Sequence, residues 1–215
     1  RSSAFRAAVD PESTYRLTYR FVVADDASAE AVRSVSLAVE RPEHYTVTVN
    51  GTRLDPGAFE RWFDVAMGRA PVGGRLRRGE NTVVVESVPW NTMCEAAPIY
   101  LLGNFALEPI ERGFAIRDAR ELSLGDWAAA GLPFYPAGLD YRFRLGADAD
   151  GSGSGGSGPA RLSLGDWAGS LVVVSAGGRK LGEIVHPPYE LDVDLDEGTD
   201  EIDLRVIGNM RNMMG

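Results

Sequence analysis

Leu162–Gly215 reads LSLGDWAGSLVVVSAGGRKLGEIVHPPYELDVDLDEGTDEIDLRVIGNMRNMMG. Leu171–Ser175 is apolar and largely β-branched, which suits a strand. Ala176-Gly177-Gly178 supplies residues that accept positive φ in a tight hairpin turn. Leu181–Val185 is the return strand, and Pro187-Pro188 breaks the pattern. Leu191-Asp192-Val193-Asp194-Leu195 then alternates strictly, which puts three apolar side chains on one face and two carboxylates on the other. After a turn at Glu197-Gly198-Thr199-Asp200, alternation resumes at Ile202, Leu204 and Val206. Strands with one apolar face predict a half-buried antiparallel sheet covered by a second sheet.

Upstream, the same idea repeats. Tyr15–Val23 reads as a first strand, and Asp25–Ala31 as a loop or short helical turn. Ser34–Glu40 alternates through Val35, Leu37 and Val39. Tyr45–Val49 runs into Asn50-Gly51, the strongest short-range hairpin signal. Phe59–Val65 leads through a Gly/Pro-rich turn to Leu76–Asn81, which feeds a strand at Thr82–Ser87. Ile99–Leu102 is a further strand, Gly103-Asn104-Phe105 a bend, and Tyr141–Leu145 another alternating strand. Both halves thus contain a Gly hairpin turn and then a Leu-x-x-Gly-x turn (Leu76–Asn81, Leu195–Asp200) before a strong strand. This is a duplicated architecture, too long in period for a solenoid. The expected fold class is all-β, two antiparallel β-sandwich (jelly-roll) domains in tandem. We expect a leader over 1–11, one sandwich over 12–110 and a second over 111–215, Arg112–Ile116 opening the second half and Pro109–Gly113 forming a short connection.

Composition narrows the function classes. A chain of 215 residues holds one large or two modest domains. A net charge of −9 argues against a nucleic-acid partner and against an anionic membrane surface. No stretch approaches the roughly 18 uninterrupted apolar residues of a membrane span. Cys94 is the single cysteine, which rules out an intramolecular disulfide. With only His44 and His186 as candidate bases, Cys94 reads as a packed small hydrophobe rather than a nucleophile. The chain begins at Arg1 without a signal-peptide pattern and stops directly after a strong strand, so we expect a piece of a longer protein; its localisation is unknown, a secreted or cell-envelope parent being one option.

Two local features stand out. LSLGDW occurs twice, at Leu122–Trp127 and Leu162–Trp167. Different sequences follow, so the two copies are expected to play different roles. Gly151–Gly158 (GSGSGGSG) has the composition of a flexible linker, natural or engineered, and lacks the Gly-Lys-Ser/Thr ending of a phosphate loop.

Leu164-Gly165-Asp166-Trp167, Pro187–Asp192 and Val206–Asn212 resemble the galactose-binding-like β-sandwich modules of large bacterial glycoside hydrolases, of family two and the α-L-rhamnosidase-like enzymes. Trp127–Tyr135, Val49-Asn50-Gly51, Leu76–Asn81 and Pro98–Asn104 extend the resemblance over most of the chain. The resemblance implies a galactose-binding-like fold and a carbohydrate-active neighbourhood. The Gly/Ser loop departs from the pattern, and a catalytic barrel is not encoded here, so no hydrolytic residue carries over. The implied partners are the catalytic domain of the same parent chain and an oligo- or polysaccharide.

Sugar binding uses an aromatic plane against a pyranose, with nearby amides and carboxylates for the hydroxyls. Trp90 with Asn91, Tyr135, and Tyr189 with Glu190 fit that description; packing against a core or a neighbouring domain is the competing role for each. Trp127 and Trp167 read as structural anchors. Hydrolysis needs two carboxylates facing one another across a sugar, and none of the 31 acidic residues sits in such a motif. Asp192 and Asp194 read as a solvated face. Asp194, Asp196, Glu197 and Asp200 carry the oxygen ligands that Ca²⁺ takes, but match no calcium loop; otherwise no cofactor is expected. Asn209, Arg211 and Asn212 form a polar cluster beyond the last strand. The expected function is a non-catalytic accessory region of a glycoside hydrolase. The alternatives are a structural or protein-interaction module without sugar ligand, and a small enzyme.

Overall fold

The computed structural model describes residues 13–90, 93–146 and 156–209. The chain divides into two compact units, Arg1–Leu132 and Pro133–Gly215. Both are all-β.

The first unit contains β1 (Tyr15–Val23), α1 (Ala29–Ser34), β2 (Ser36–Glu40), β3 (Thr46–Val49), β4 (Thr52–Arg53), β5 (Glu60–Arg61), β6 (Met67–Pro71), β7 (Gly79–Ser87), β8 (Tyr100–Leu102), β9 (Phe105–Ile110) and β10 (Gly113–Asp118). One sheet runs β4-β3-β7-β1-β10-β9 and the other β5-β6-β2-β8. Val23, Leu37, Val39, Val47, Val49, Ala70, Val83, Val85 and Ile116 join in one buried cluster drawn from both sheets, which makes the unit a β-sandwich. Burying such side chains contributes about 1.5–3 kcal/mol each. The single short helix is capped by Ser28, whose Oγ accepts from Ala31 N at 3.1 Å, while Ser28 N donates to Asp118 Oδ1 at 2.7 Å.

The second unit contains β11 (Leu139–Arg144), β12 (Gly156–Ser163), β13 (Leu171–Ala176), β14 (Arg179–Ile184), β15 (Glu190–Thr199) and β16 (Glu201–Ile207). Its sheets are β11-β16-β13-β14 and β12-β15. Val172, Val174, Ile184, Val193, Leu195, Ile202 and Leu204 form its core.

The two units share one strand plan. The order β4-β3-β7-β1 is matched by β14-β13-β16-β11, and the β2–β6 pair by β12–β15. Every equivalent pairing is antiparallel. Both hairpins close through two residues at positive φ, Asn50-Gly51 and Gly177-Gly178, the turn that matches strand twist. Leu17, Tyr19 and Phe21 oppose Val85, Val83 and Asn81, as Leu139, Tyr141 and Phe143 oppose Val206, Leu204 and Ile202. The tripeptide Tyr-Arg-Phe therefore occupies the same register in both.

Several expectations need correction. The division expected at 110/111 falls in the β9–β10 hairpin, whose register pairs Ile110 with Gly113. β10 also pairs in parallel with β1, so Arg112–Ile116 belongs to the first unit. Leu191–Leu195 and Ile202–Val206 do not share a sheet: β15 pairs with β12, and β16 with β11 and β13. Alternation fixes which face is apolar, not which sheet a strand joins. Gly156 and Gly158, expected in the flexible linker, pair with Thr199 and Leu195 in β12. The rest of that linker, 151–155, lies outside the described residues, as do the expected leader 1–11 and the tail residues Arg211 and Asn212. Among the described residues no helix is long and apolar enough to cross a membrane.

Candidate functional site

The outer faces of the second unit are charge ladders. Across β11–β16 the register sets Asp140 opposite Arg205, Arg142 opposite Asp203, and Arg144 opposite Glu201. Arg205 donates twice to Asp140, at 2.6 and 2.8 Å, and Arg142 Nε to Asp203 at 2.8 Å. Across β12–β15, Arg161 donates twice to Asp192, at 2.6 and 3.0 Å, and lies 3.5 Å from Glu190. These guanidinium bonds hold Asp140 and Asp192 below the usual carboxylate range.

Tyr189 and Glu190 sit where this array meets an aromatic corner. Tyr189 precedes β15 at φ 60, an uncommon conformation for a tyrosine. Its backbone is fixed by Leu164 N donating to Tyr189 O and Tyr189 N donating to His186 O, both at 3.0 Å. Its ring meets Trp167 edge-on, with centroids 5.4 Å apart at 82°. Both rings are half-buried against the core, so each keeps part of its surface in solvent. Along the chain Tyr189 is followed by Glu190, which lies 3.5 Å from Arg161, itself bound to Asp192; these outer-face groups offer carboxylate acceptors and guanidinium donors.

The other candidates lie elsewhere. Tyr135 is on the turn before β11 and donates to Gly138 O at 3.2 Å. Trp90 belongs to the first unit, half-exposed after β7, its backbone N–H donating to Ser13 O at 2.9 Å. Asn91 lies outside the described residues. Cys94 is buried, 7% exposed, among tyrosines: Tyr15 and Tyr45 donate to Glu95 O at 2.7 and 3.4 Å, and Tyr19 to Ala97 O at 2.9 Å.

The two LSLGDW copies differ as expected. In the second, Leu162 and Ser163 end β12, while Leu164 and Trp167 pack on the core. In the first, Leu124 is 68% exposed, and Asp126 caps a turn, its Oδ1 accepting from Ala128 N at 2.8 Å.

An open cleft of about 950 Å³ lies at the β13–β14 turn and the β15–β16 junction. It sets Arg142, Arg144 and Arg179 against Asp196, Glu197, Asp200, Glu201 and Asp203, with no aromatic residue and none of the sugar-binding candidates. Arg179 binds Asp196 at 2.7 Å, and Arg142 lies 3.5 Å from Glu201. Among the described residues no group of three His, Cys, Asp or Glu side chains is placed to hold a metal ion. Asp196 is turned to Arg179 instead.

No pattern in the sequence marks the tip of the β5–β6 hairpin. Phe63 there is 91% exposed and Val65 83%. Composition read this stretch only as a lead into a turn.

The fold defines two β-sandwich units. No family model and no curated protein matches the chain. Among solved structures, it is similar to the alpha-L-rhamnosidase of Streptomyces avermitilis complexed with L-rhamnose, at TM-score 0.30 and 16% identity, over 92% of this chain and 22% of that one. It is also similar to the beta-D-mannosidase of Dictyoglomus thermophilum, at TM-score 0.25 and 14% identity, over 93% of this chain and 25% of that one. The chain therefore spans a quarter or less of the length of either enzyme.

Proposed function

We propose that this chain is a non-catalytic accessory β-sandwich region of a bacterial glycoside hydrolase, one that braces a catalytic domain and contacts carbohydrate. The observation that supports the sugar contact is the half-open Tyr189–Trp167 ring pair, with Glu190 next in the chain and 3.5 Å from Arg161. A pyranose has an apolar C–H face and a rim of hydroxyls; this corner pairs an aromatic surface with charged donors and acceptors. Trp90 with Asn91, and Tyr135, are secondary candidates. The non-catalytic reading draws support from the cleft, where Asp196, Glu201 and Asp203 are engaged by arginines. A glycosidase instead needs one carboxyl free to give its proton and a second facing it across the sugar.

Calorimetry with neutral mono- and oligosaccharides tests the contact. Binding that weakens at least fivefold in Tyr189→Asn supports it, because Asn tolerates the positive φ. No heat at millimolar sugar leaves a purely structural module. Turnover of aryl-glycosides by the chain would overturn the non-catalytic reading.

A further inference from the structure

The two units share a strand plan, but only the first completes it. There β2 lies between β6 and β8. Leu101 of β8 stands opposite Leu37 and packs on the core, while Tyr100 and Leu102 stand opposite Ala38 and Ser36. Leu37, Ala38 and Val39 are all buried. In the second unit β12 takes the place of β2 and pairs with β15, and among the described residues no strand takes the place of β8. Burial follows suit: Pro159, Ala160 and Arg161 are exposed. Ala160 stands opposite the buried Val193, on the face that Leu162 turns to the core, yet it is open to solvent. A strand paired on one side only leaves alternate N–H and C=O groups unpaired along the other. The β15 side is different. It has β14 beside it, where a Cβ on Gly182 would come within 2.8 Å of the Leu191 side chain.

We propose that the open edge of β12 is a strand-acceptor site. Its occupant is an extended segment from the rest of the parent protein, antiparallel to β12, with an apolar side chain beside Ala160 or Leu162. The proposal rests on the reading that this chain is one region of a larger hydrolase, and names a surface that joins it to the remainder. Three observations select the occupant. The equivalent edge in this same chain is filled by a polypeptide strand, reached from β7 through 88–99. What stands open on β12 is backbone, which another backbone matches group for group. Arg161 leaves that edge clear, its guanidinium drawn to Asp192 and Glu190 of β15. Finally, Pro159 lacks an N–H, and the irregular register beside Gly158, at φ 81, spoils the first half of β12. That leaves Ala160–Ser163, long enough for a strand the size of β8. A second copy would have to pair through the same short stretch against the repulsion of two chains of net charge −9.

The test gives the full chain such a strand. After Gly215 a Gly/Ser spacer makes the crossing from Ile207 as long as 88–99, and Tyr-Leu-Leu follows, as in β8. A second version ends in Tyr-Pro-Leu, which cannot complete the pairing. The tether presents the strand at about millimolar effective concentration. Backbone amide exchange is read residue by residue. Edge-facing amides within Ala160–Ser163 that exchange at least about tenfold more slowly with Tyr-Leu-Leu, and not with Tyr-Pro-Leu, support the proposal. Unchanged exchange overturns it, as does equal slowing by both tails. Slowing in the untailed chain that grows with protein concentration gives the edge to a second copy and overturns it too. No sugar enters the experiment, so a failure here is distinct from a failure of the carbohydrate reading, which has its own calorimetric test.

Discussion

Replacing Asn81 should unfold the first unit more readily than any other polar substitution in it. Asn81 is fully buried at the start of β7, and its side chain makes four hydrogen bonds. Nδ2 donates to Arg77 O at 2.6 Å and Gly79 O at 2.9 Å; Oδ1 accepts from Arg77 N at 2.9 Å and Asn50 Nδ2 at 2.8 Å. Asn50 in turn donates to Arg75 O and accepts from Thr82 N, both at 2.9 Å. The two amides thus tie the Asn50-Gly51 turn to the Leu76–Asn81 loop. At about 1 kcal/mol per hydrogen bond the gross loss in Asn81→Ala is about 4 kcal/mol. Water re-solvates some of the partners, which lie near the exposed Arg77, and leaves about 3 kcal/mol. Asn81→Asp keeps the shape but turns both donated bonds into oxygen–oxygen contacts, so it should cost at least as much. Asn50→Gly keeps the positive φ and loses only the amide, at about 2 kcal/mol. Urea denaturation followed by circular dichroism, with the double mutant to close the cycle, measures all three. A cost below about 1 kcal/mol for Asn81→Ala, or near-equality of Asn81→Asp with the parent, would refute the reasoning.

Three more expectations follow from the same structure. Asp118, Asp140 and Asp192 are held below the ordinary range, by the Ser28 N–H, Arg205 and Arg161 respectively. Their stabilisation is complete above the unfolded value of about 4 and drains away as pH falls through the lower folded values, so urea midpoints should stay level down to about pH 5 and decline below 4. Burial holds the Tyr15, Tyr19 and Tyr45 hydroxyls above their usual range. That contribution is intact below about pH 10 and lost above it; Tyr45→Phe should raise the rate at which a thiol reagent labels Cys94 several-fold at pH 8. A Cβ on Gly73 would meet the Val32 carbonyl oxygen and lie 2.6 Å from that of Arg33, whereas none on Gly74 meets anything. Gly73→Ala should cost about 3 kcal/mol by thermal melting and Gly74→Ala nearly nothing.

Much of the fold was legible because side-chain period is a local property. Tyr15–Val23 matches β1 residue for residue, and Asn50-Gly51 and Gly177-Gly178 close the hairpins they announce. What escaped was non-local. Parallel pairing of Val22 with Ala115 leaves no mark near either residue, so the unit boundary was placed too early. Gly156 and Gly158 look like linker because glycine carries no period, yet β15 gives them a partner. The matching Tyr-Arg-Phe strands became visible only once β7 and β16 showed which residues they oppose.

The candidate site was less legible. Tyr189 meets Trp167 through an edge-on ring contact and Glu190 meets Arg161 through strand pairing, and neither partner is near in sequence. The Phe63 tip had no signal in pattern or composition. Its interest lies in exposure and backbone conformation, which no local rule reads from Trp62-Phe63-Asp64.

Titrating the isotopically labelled chain with neutral oligosaccharides and following its amide and indole resonances tests the central claim most directly. The account predicts saturable shifts grouped at Trp167, Tyr189 and Glu190, with the sugar recovered intact. No shift at millimolar sugar, or hydrolysis of the oligosaccharide in the tube, would contradict it.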